Sequence, residues 1–309
     1  MGVMGLASIV IRAYKRLKVE WCDLVEFVVI PGIAALLPWS LCFLFYKLIA
    51  RDWTWLYREQ CAEALRQAKR YGCVGSDEKQ WMMEHRLVSL MDHADHYLYR
   101  TRSLKSMSSH MDVHGCWQGG GGAAFLWTFH WGMGMWALRH AREHGMQAPM
   151  VLAAPSGPDF VGRTVFGHYV RARMRSVELA LREPIIFVPG GMSGVRAALA
   201  EMKQVVVVMD VPQDQVSVTR LAHLLGTPVS VPALLPQLAV DKGIPVTVFY
   251  MGIDMVTGRR QLHIHPLGIQ SDAKTLTDTT FLHLDQLLKN SASAWHLWAQ
   301  APRFFVARD

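Results

Sequence analysis

Cysteine is scarce in this 309-residue chain. Its five thiols, Cys22, Cys42, Cys61, Cys73 and Cys116, are odd in number, scattered, confined to the first part of the sequence and never spaced C-x-x-C. That pattern implies a reducing compartment and excludes a cysteine metal cage. His263 and His265 share one face of an expected strand, but no third ligand stands with them, so no metal is expected. There is no zinc-knuckle spacing, no RNP-type aromatic motif and no basic helix of the leucine-zipper kind, which argues against nucleic acid as a partner. The run Gly119–Gly122 lacks a G-K-[ST] continuation and reads as a flexible turn. A signal peptide is not expected: the apolar run begins late, follows Asp23 and Glu26, and lacks an A-x-A-like cleavage site. The opening MGVMGL also lacks the Ser or Thr that N-myristoylation requires.

Apolar residues, by contrast, are plentiful. At 51% hydrophobic content the chain can bury a large core, read as one large domain with a terminal extension: an N-terminal helical region over 1–72 and an α/β domain over 73–309. The net charge of +7 favours anionic partners such as a phospholipid surface or a phosphorylated cofactor. From Phe27 to Tyr46 no residue is charged, and the run is long enough to cross a bilayer. Pro31 and Pro38 would kink a spanning helix, so a re-entrant or interfacial helix pair competes with it, as does a buried core pair. Arg12, Lys15, Arg16 and Lys18 precede the run and Lys47 and Arg51 follow it, so the positive-inside count leaves the orientation open. Between Trp53 and Tyr71, apolar residues recur at helical spacing with basic residues between them, which suggests a helix lying at a membrane surface or on the catalytic domain.

After about residue 120, β-type runs alternate with amphipathic helical stretches. The runs are Ala123–Phe129, Met150–Ala154, Pro184–Val188, Val205–Asp210 and Pro245–Met251, with Gln261–His265 as a late strand. The alternation indicates an α/β fold with a mixed, largely parallel sheet covered by helices.

The segment AAFLWTFHWGMGMW, Ala123 to Trp136, places His130 at the end of a buried strand, beside two glycines and before a helix. A base at such a junction can meet a substrate, with free N–H groups nearby. A packed histidine is the plainer explanation of the same residue. The run VVVVMD would deliver Asp210 to the carboxyl edge of the sheet, or simply cap a helix. PGGMSGVRAAL follows a strand and opens a helix, so the amides of Gly190, Gly191 and Gly194 and the side chain of Arg196 could hold a phosphate or a carbonyl oxygen.

Taken in order, four segments resemble the lysophospholipid acyltransferase superfamily, and within it the bacterial lipid A late (lauroyl/myristoyl) acyltransferase branch. TFHWGMGMW is similar to the family's H-x-G-N-W-E block, where the histidine opens an H-x4-[DE] motif. GGMSGVRAALAEMKQVVVVMDVPQD resembles its helix, strand and Asp-Gln-rich turn. LLGTPVSVPALLPQLAVDKGIPVTVFYM looks like its Phe-Phe-Gly-x-Pro turn and the elements after it, and AWHLWAQAPRFF its C-terminal Trp-x-Trp segment. The resemblance implies a glycerolipid acyltransferase-like fold and an enzyme of the bacterial inner membrane whose active site faces the cytoplasm. It would move an acyl chain from an acyl carrier protein or coenzyme A thioester, with no further cofactor, to a hydroxyl or amine of a lipid-like acceptor. His130 would be the general base; Gly190, Gly191, Gly194 and Arg196 would be donors to the oxyanion, and Asp210 and Gln213 fall on the Asp-Gln turn.

One departure stands out. The family's acid, counted from His130, is replaced by Met135, which cannot hold an imidazole tautomer. Another carboxylate, such as Asp112, Asp159 or Asp210, could reach the histidine. Alternatively, His130 acts alone on an easier nucleophile, an amine or an acidic phenol. In the last case catalysis is lost, and the protein is an acyl-binding accessory of a lipid biosynthesis pathway. Met133 and Met135 would suit the wall of an acyl tunnel, and core packing accounts for them equally.

Overall fold

Proline decides the shape of the apolar run at 27–46. In the computed structural model, which describes residues 2–118, 121–155, 160–188 and 190–305, helix α1 (Gly2–Asp23) leads through a π-helical stretch, Leu24–Val29, into the short α2 (Ile30–Gly32) and a 3-10 turn. Pro31 lies inside this continuous helical run, and the Glu26 and Phe27 carbonyls that precede it take hydrogen bonds from the Tyr57 and Tyr97 hydroxyls instead, at 2.7 Å and 2.8 Å. Pro38 is extended (φ −57°, ψ 148°), so the helix stops and α3 (Trp39–Asp52) starts anew. Tyr46 of α3 ties the halves together: its hydroxyl lies 2.9 Å and 2.8 Å from the Ile30 and Pro31 carbonyls and accepts the Ala34 N–H at 3.0 Å. No described helix is long and apolar enough to cross a membrane. The single spanning helix is thus replaced by a broken pair. One side of it (Phe27, Ile30, Ala34, Phe43, Ile49) is buried in the core, while Leu36, Leu41, Leu44 and Leu48 remain exposed, Leu36 at 82%.

Helix α4 (Arg58–Arg70) lies on the α/β body, burying Cys61, Ala64 and Ala68 and turning its arginines outward. Helix α5 (Glu78–Thr101), capped by Asp77 on the Gln80 N–H, runs through the interior, and α6 (Leu104–Ser108) follows. Then come β1 (Met111–His114), β2 (Ala124–Thr128), α7 (Met135–Glu143), β3 (Met150–Ala153), α8 (Thr164–Leu181), β4 (Ile186–Val188), α9 (Met192–Ala200) and β5 (Gln204–Val208). The chain continues through β6 (Thr219–Leu224), β7 (Thr227–Pro232), α10 (Leu234–Asp241), β8 (Val246–Ile253), β9 (Arg260–Gly268) and α11 (Ala273–Ser291).

Among the described residues, seven strands form one sheet in the order β1-β9-β8-β2-β5-β3-β4, and β6 and β7 pair as a separate antiparallel hairpin. The five strands from β8 to β4 are parallel; β9 runs against β8, and β1 is parallel to β9. The fold is therefore α/β with a mostly parallel sheet flanked by helices. Apart from Thr128 and Gln204 at their ends, strands β2 and β5 are apolar because both faces are covered. Leu126, Val206, Phe249 and Met251 point to the core shared with α5, α7, α8 and the N-terminal pair; Phe125, Trp127, Val205, Val207 and Val248 point to α9, α11 and the C-terminal segment. The five parallel strands bring their carboxyl ends to one edge, which is where ligands bind in open α/β sheets.

Candidate active site

Sheet register places a histidine beside an acid. Strands β2 and β5 pair with Thr128 opposite Val208, and the ladder continues through the Met209 N–H to the Thr128 carbonyl at 2.8 Å. His130 and Asp210 each lie two residues further on, so they emerge side by side from adjacent strands at the carboxyl edge. The Asp210 carboxylate accepts the His130 backbone N–H at 2.9 and 3.0 Å, and its Oδ1 lies 3.1 Å from His130 Nδ1. Asp210 is 1% exposed, while the His130 side chain is 43% exposed. With the carboxylate ionised, Nδ1 carries the proton and Nε2 presents its lone pair outward, the arrangement of a general base with an orienting acid.

The C-terminal segment locks this geometry. After α11 the chain returns over His130: the His296 N–H donates to the His130 carbonyl at 2.9 Å, and the Gly132 N–H to the Ala294 carbonyl at 2.8 Å. Trp295, fully buried, donates its indole N–H to Asp210 Oδ2 at 2.8 Å. Gly132 takes φ 66° with the Met251 carbonyl only 2.0 Å from where a Cβ would stand, so no other residue fits this crossing. The two carboxylate oxygens are thereby engaged by fixed donors on both sides.

Burial alone would lower the basicity of His130. The charge of Asp210 and its hydrogen bonds overcome that and leave the imidazole pKa above its ordinary value, with a further push from Asp92. Asp92, on α5, is held by Arg173 of α8 through two 2.7 Å contacts. Burial opposes its ionisation, but Arg173 and the neighbouring histidines bring the carboxyl down to about 2. Asp92 therefore stays charged and adds to the negative field at His130.

The other predicted residues are distributed differently. Met133 and Met135 are each 2% exposed and pack in the core, which leaves no room for an acid at the motif position. Asp112 is engaged by Arg259 and Gln261 on the far side of the sheet, and Asp159 lies outside the described residues. Gln213 is exposed on the turn after Asp210. Gly190, Gly191, Gly194 and Arg196 lie at the end of β4, three strands and about 14 Å from β2, too far for direct contact with an atom reacting at His130. Gly191 and Gly194 have a packing reason: a Cβ there would come within 2.9 Å of the Phe187 carbonyl and 3.2 Å of Ile186. Among the described residues no group of three or more His, Cys, Asp or Glu could hold a metal ion; His263 and His265 instead stack beside Tyr250.

Sequence reading missed Trp295 and His296 as parts of the site, though both lie in the AWHLW segment, and it missed Asp92 and Arg173, which no local pattern marks. No protein-family model matches the chain, and no curated protein matches it.

Proposed function

We propose that this chain is an acyltransferase that moves an acyl group from an acyl carrier protein or coenzyme A thioester to a hydroxyl or amine of a lipid-like acceptor. The observation that carries this reading is the Asp210 carboxylate on His130 Nδ1, which supplies from β5 the orienting charge absent at Met135. His130 Nε2 takes the acceptor's proton as its oxygen or nitrogen attacks the thioester carbonyl carbon. The tetrahedral oxyanion then collapses, the carbon–sulfur bond breaks, and the imidazolium returns the proton to the thiolate. The N-terminus of α7, a few residues past His130, has no side-chain cap at Gly134 and would supply backbone N–H groups for the oxyanion. The glycine turn at β4 and Arg196 suit a remote part of a long donor. An acyl-binding accessory protein is the alternative, and the Asp210 carboxylate on His130 Nδ1 favours the enzyme.

The site of action in this reading is the inner-membrane surface, with the active site facing the cytoplasm. Leu36, Leu41, Leu44 and Leu48 form an exposed apolar strip, Arg51 stands next to it, and Trp53 and Trp55 stack at 5.8 Å with both rings exposed at its end. Such a face suits the headgroup boundary.

The test is thiol release from acyl-carrier-protein and acyl-coenzyme A thioesters by wild type and His130→Ala, with membrane lipid extract as acceptor. Release that depends on His130 is expected. Folded wild-type protein that releases no thiol from either donor would overturn the enzymatic reading.

A further inference from the structure

Five arginines converge on one open cavity of about 370 Å³ at the end of α7 remote from His130. Arg100 and Arg102 come from the end of α5, Arg139 and Arg142 from α7, and Arg182 from just past α8; Glu143 is the single acid in the wall. Three helix C-termini meet here and each contributes about half a negative charge, so the cavity still carries more than two positive charges in excess. Part of the arginine capacity is used on backbone carbonyls. Arg139 donates to those of Tyr99 and Arg102 at 3.0 Å, Arg142 to that of Met146 at 3.3 Å, and Arg102 to that of Leu37 at 2.6 Å. None of the five pairs with a carboxylate among the described residues, and the side chains of Arg100 and Arg182 make no hydrogen bond there at all. Bonds to backbone carbonyls at the end of α5, in the loop after α7 and in the 34–37 turn account for three of these arginines and leave two without such a role.

The neighbourhood selects the ligand. Arg102 reaches from the cavity to the carbonyls that close the apolar turn at 34–37, whose Leu36 is the most exposed large apolar side chain of the described residues. Leu179, 54% exposed, completes the wall on the α8 side. A cluster of guanidinium groups beside an apolar protrusion matches a phosphate attached to acyl chains, because the phosphate accepts several charge-assisted hydrogen bonds while the chains cover the protrusion. We infer that this cavity binds a phosphate group, presented as the headgroup of an anionic phospholipid lying against the 34–37 turn. The lipid source of the phosphate rests on the membrane reading above; the anion site itself does not.

The experiment is co-sedimentation of the full chain with vesicles of phosphatidylcholine alone and of phosphatidylcholine mixed with phosphatidylglycerol, alongside thermal melts with soluble glycerol phosphate. The key variant is R100Q/R182Q, which removes the two arginines without internal partners; K79Q/K242Q, at exposed positions elsewhere, controls for net charge. The expected result is an about 30-fold loss of the preference for anionic vesicles in R100Q/R182Q, from two arginine contacts, with binding to neutral vesicles retained and the control within about threefold of wild type. Equal preference in wild type and R100Q/R182Q, with no stabilisation by glycerol phosphate that the variant loses, overturns the site. Stabilisation by glycerol phosphate that R100Q/R182Q abolishes, with no vesicle effect, upholds the phosphate site and overturns the lipid source. Wild type that binds no vesicle at all removes the membrane reading together with the lipid source, and the melts alone then decide the anion site.

Discussion

Asp210→Asn separates the charge of the carboxylate from its shape. In the native site its oxygens accept from the His130 backbone N–H, from His130 Nδ1 and from the Trp295 indole. Asparagine keeps one carbonyl oxygen and turns an NH2 group toward one of these donors, so one buried donor loses its partner at about 1–3 kcal/mol of stability. The larger effect falls on the imidazole. Burial is the strongest influence on His130 and pulls its pKa down, and the Asp210 carboxylate is what reverses the direction. Without that charge the pKa should fall from its raised wild-type position. The sign for stability follows. In wild type the raised pKa means that protonated His130 stabilises the fold below about pH 6.5, and this contribution is lost as pH rises through the folded value. Imidazole NMR titration of wild type and Asp210→Asn measures the shift without any substrate. Thioester cleavage should drop by about 10⁴, the cost of losing the orienting acid in a serine-protease triad. A His130 midpoint that does not fall in Asp210→Asn would refute the assignment of Asp210 as its partner.

Trp295→Phe leaves the carboxylate charged but frees one of its oxygens. The His130 pKa should remain raised while turnover falls about 10- to 100-fold, the value of one hydrogen bond to a buried charge, which steady-state kinetics beside the NMR titration can resolve. His85 is buried and His93 half-buried, and desolvation takes their pKa values down to about 4 and about 3, so both are neutral. They protonate far more readily in the unfolded chain, so stability should fall as pH drops below 6.5, at up to about 2.7 kcal/mol per pH unit for the two together. Urea titrations from neutral pH to pH 5 would show this, and His85→Gln should reduce the slope by up to about 1.4 kcal/mol per pH unit, with His96, His140, His263 and His283, also lowered to about 4, keeping the remainder. Met135→Glu restores the acid of the H-x4-[DE] pattern at a 2% exposed core position, so it should destabilise the protein by about 3 kcal/mol or more without raising turnover.

The central strands were legible because burial on both faces forces continuous apolar runs. Ala123–Phe129 and Val205–Asp210 match β2 and β5 to within a residue or two. Edge elements left weaker traces. β1 is four residues long, pairs on one side only and includes exposed His114, so nothing in MDVH stands out. The β6–β7 hairpin turns through Leu225 and Gly226, both at positive φ, but Pro228 and Pro232 argue against a strand in any local reading. Both prolines are tolerated in β7 because β6 pairs it on one side and its other side is met only at Val229 and Ser230, by Phe305 and Phe304, between the two prolines. In the N-terminal run, length and hydropathy alone fit a crossing helix, while Pro31 and Pro38 leave a re-entrant, interfacial or buried helix pair open. The Tyr46 hydroxyl and the extended Pro38, which a hydropathy window does not register, produced a folded pair instead.

The site shows why counting residues from a histidine can fail to find its acid. A motif such as H-x4-[DE] assumes that the acid comes from the helix following the histidine, and here that helix begins by burying Met135 in the core. The acid comes instead from a strand 80 residues away in sequence, and only the parallel register of β2 with β5 makes the two adjacent. Register is set by the pattern of buried side chains along whole strands, so it is a property of the sheet rather than of any short segment. Trp295 is further still from His130 and is brought back by the length of α11 and the crossing at Gly132. His130 is therefore readable locally, its Asp210 partner through sheet topology, and Trp295, which fixes Asp210, only once the chain has closed over the sheet edge. If that ordering holds, substitutions at Asp210 and Trp295 should act on turnover through His130, and a change at Met135 should act through the core.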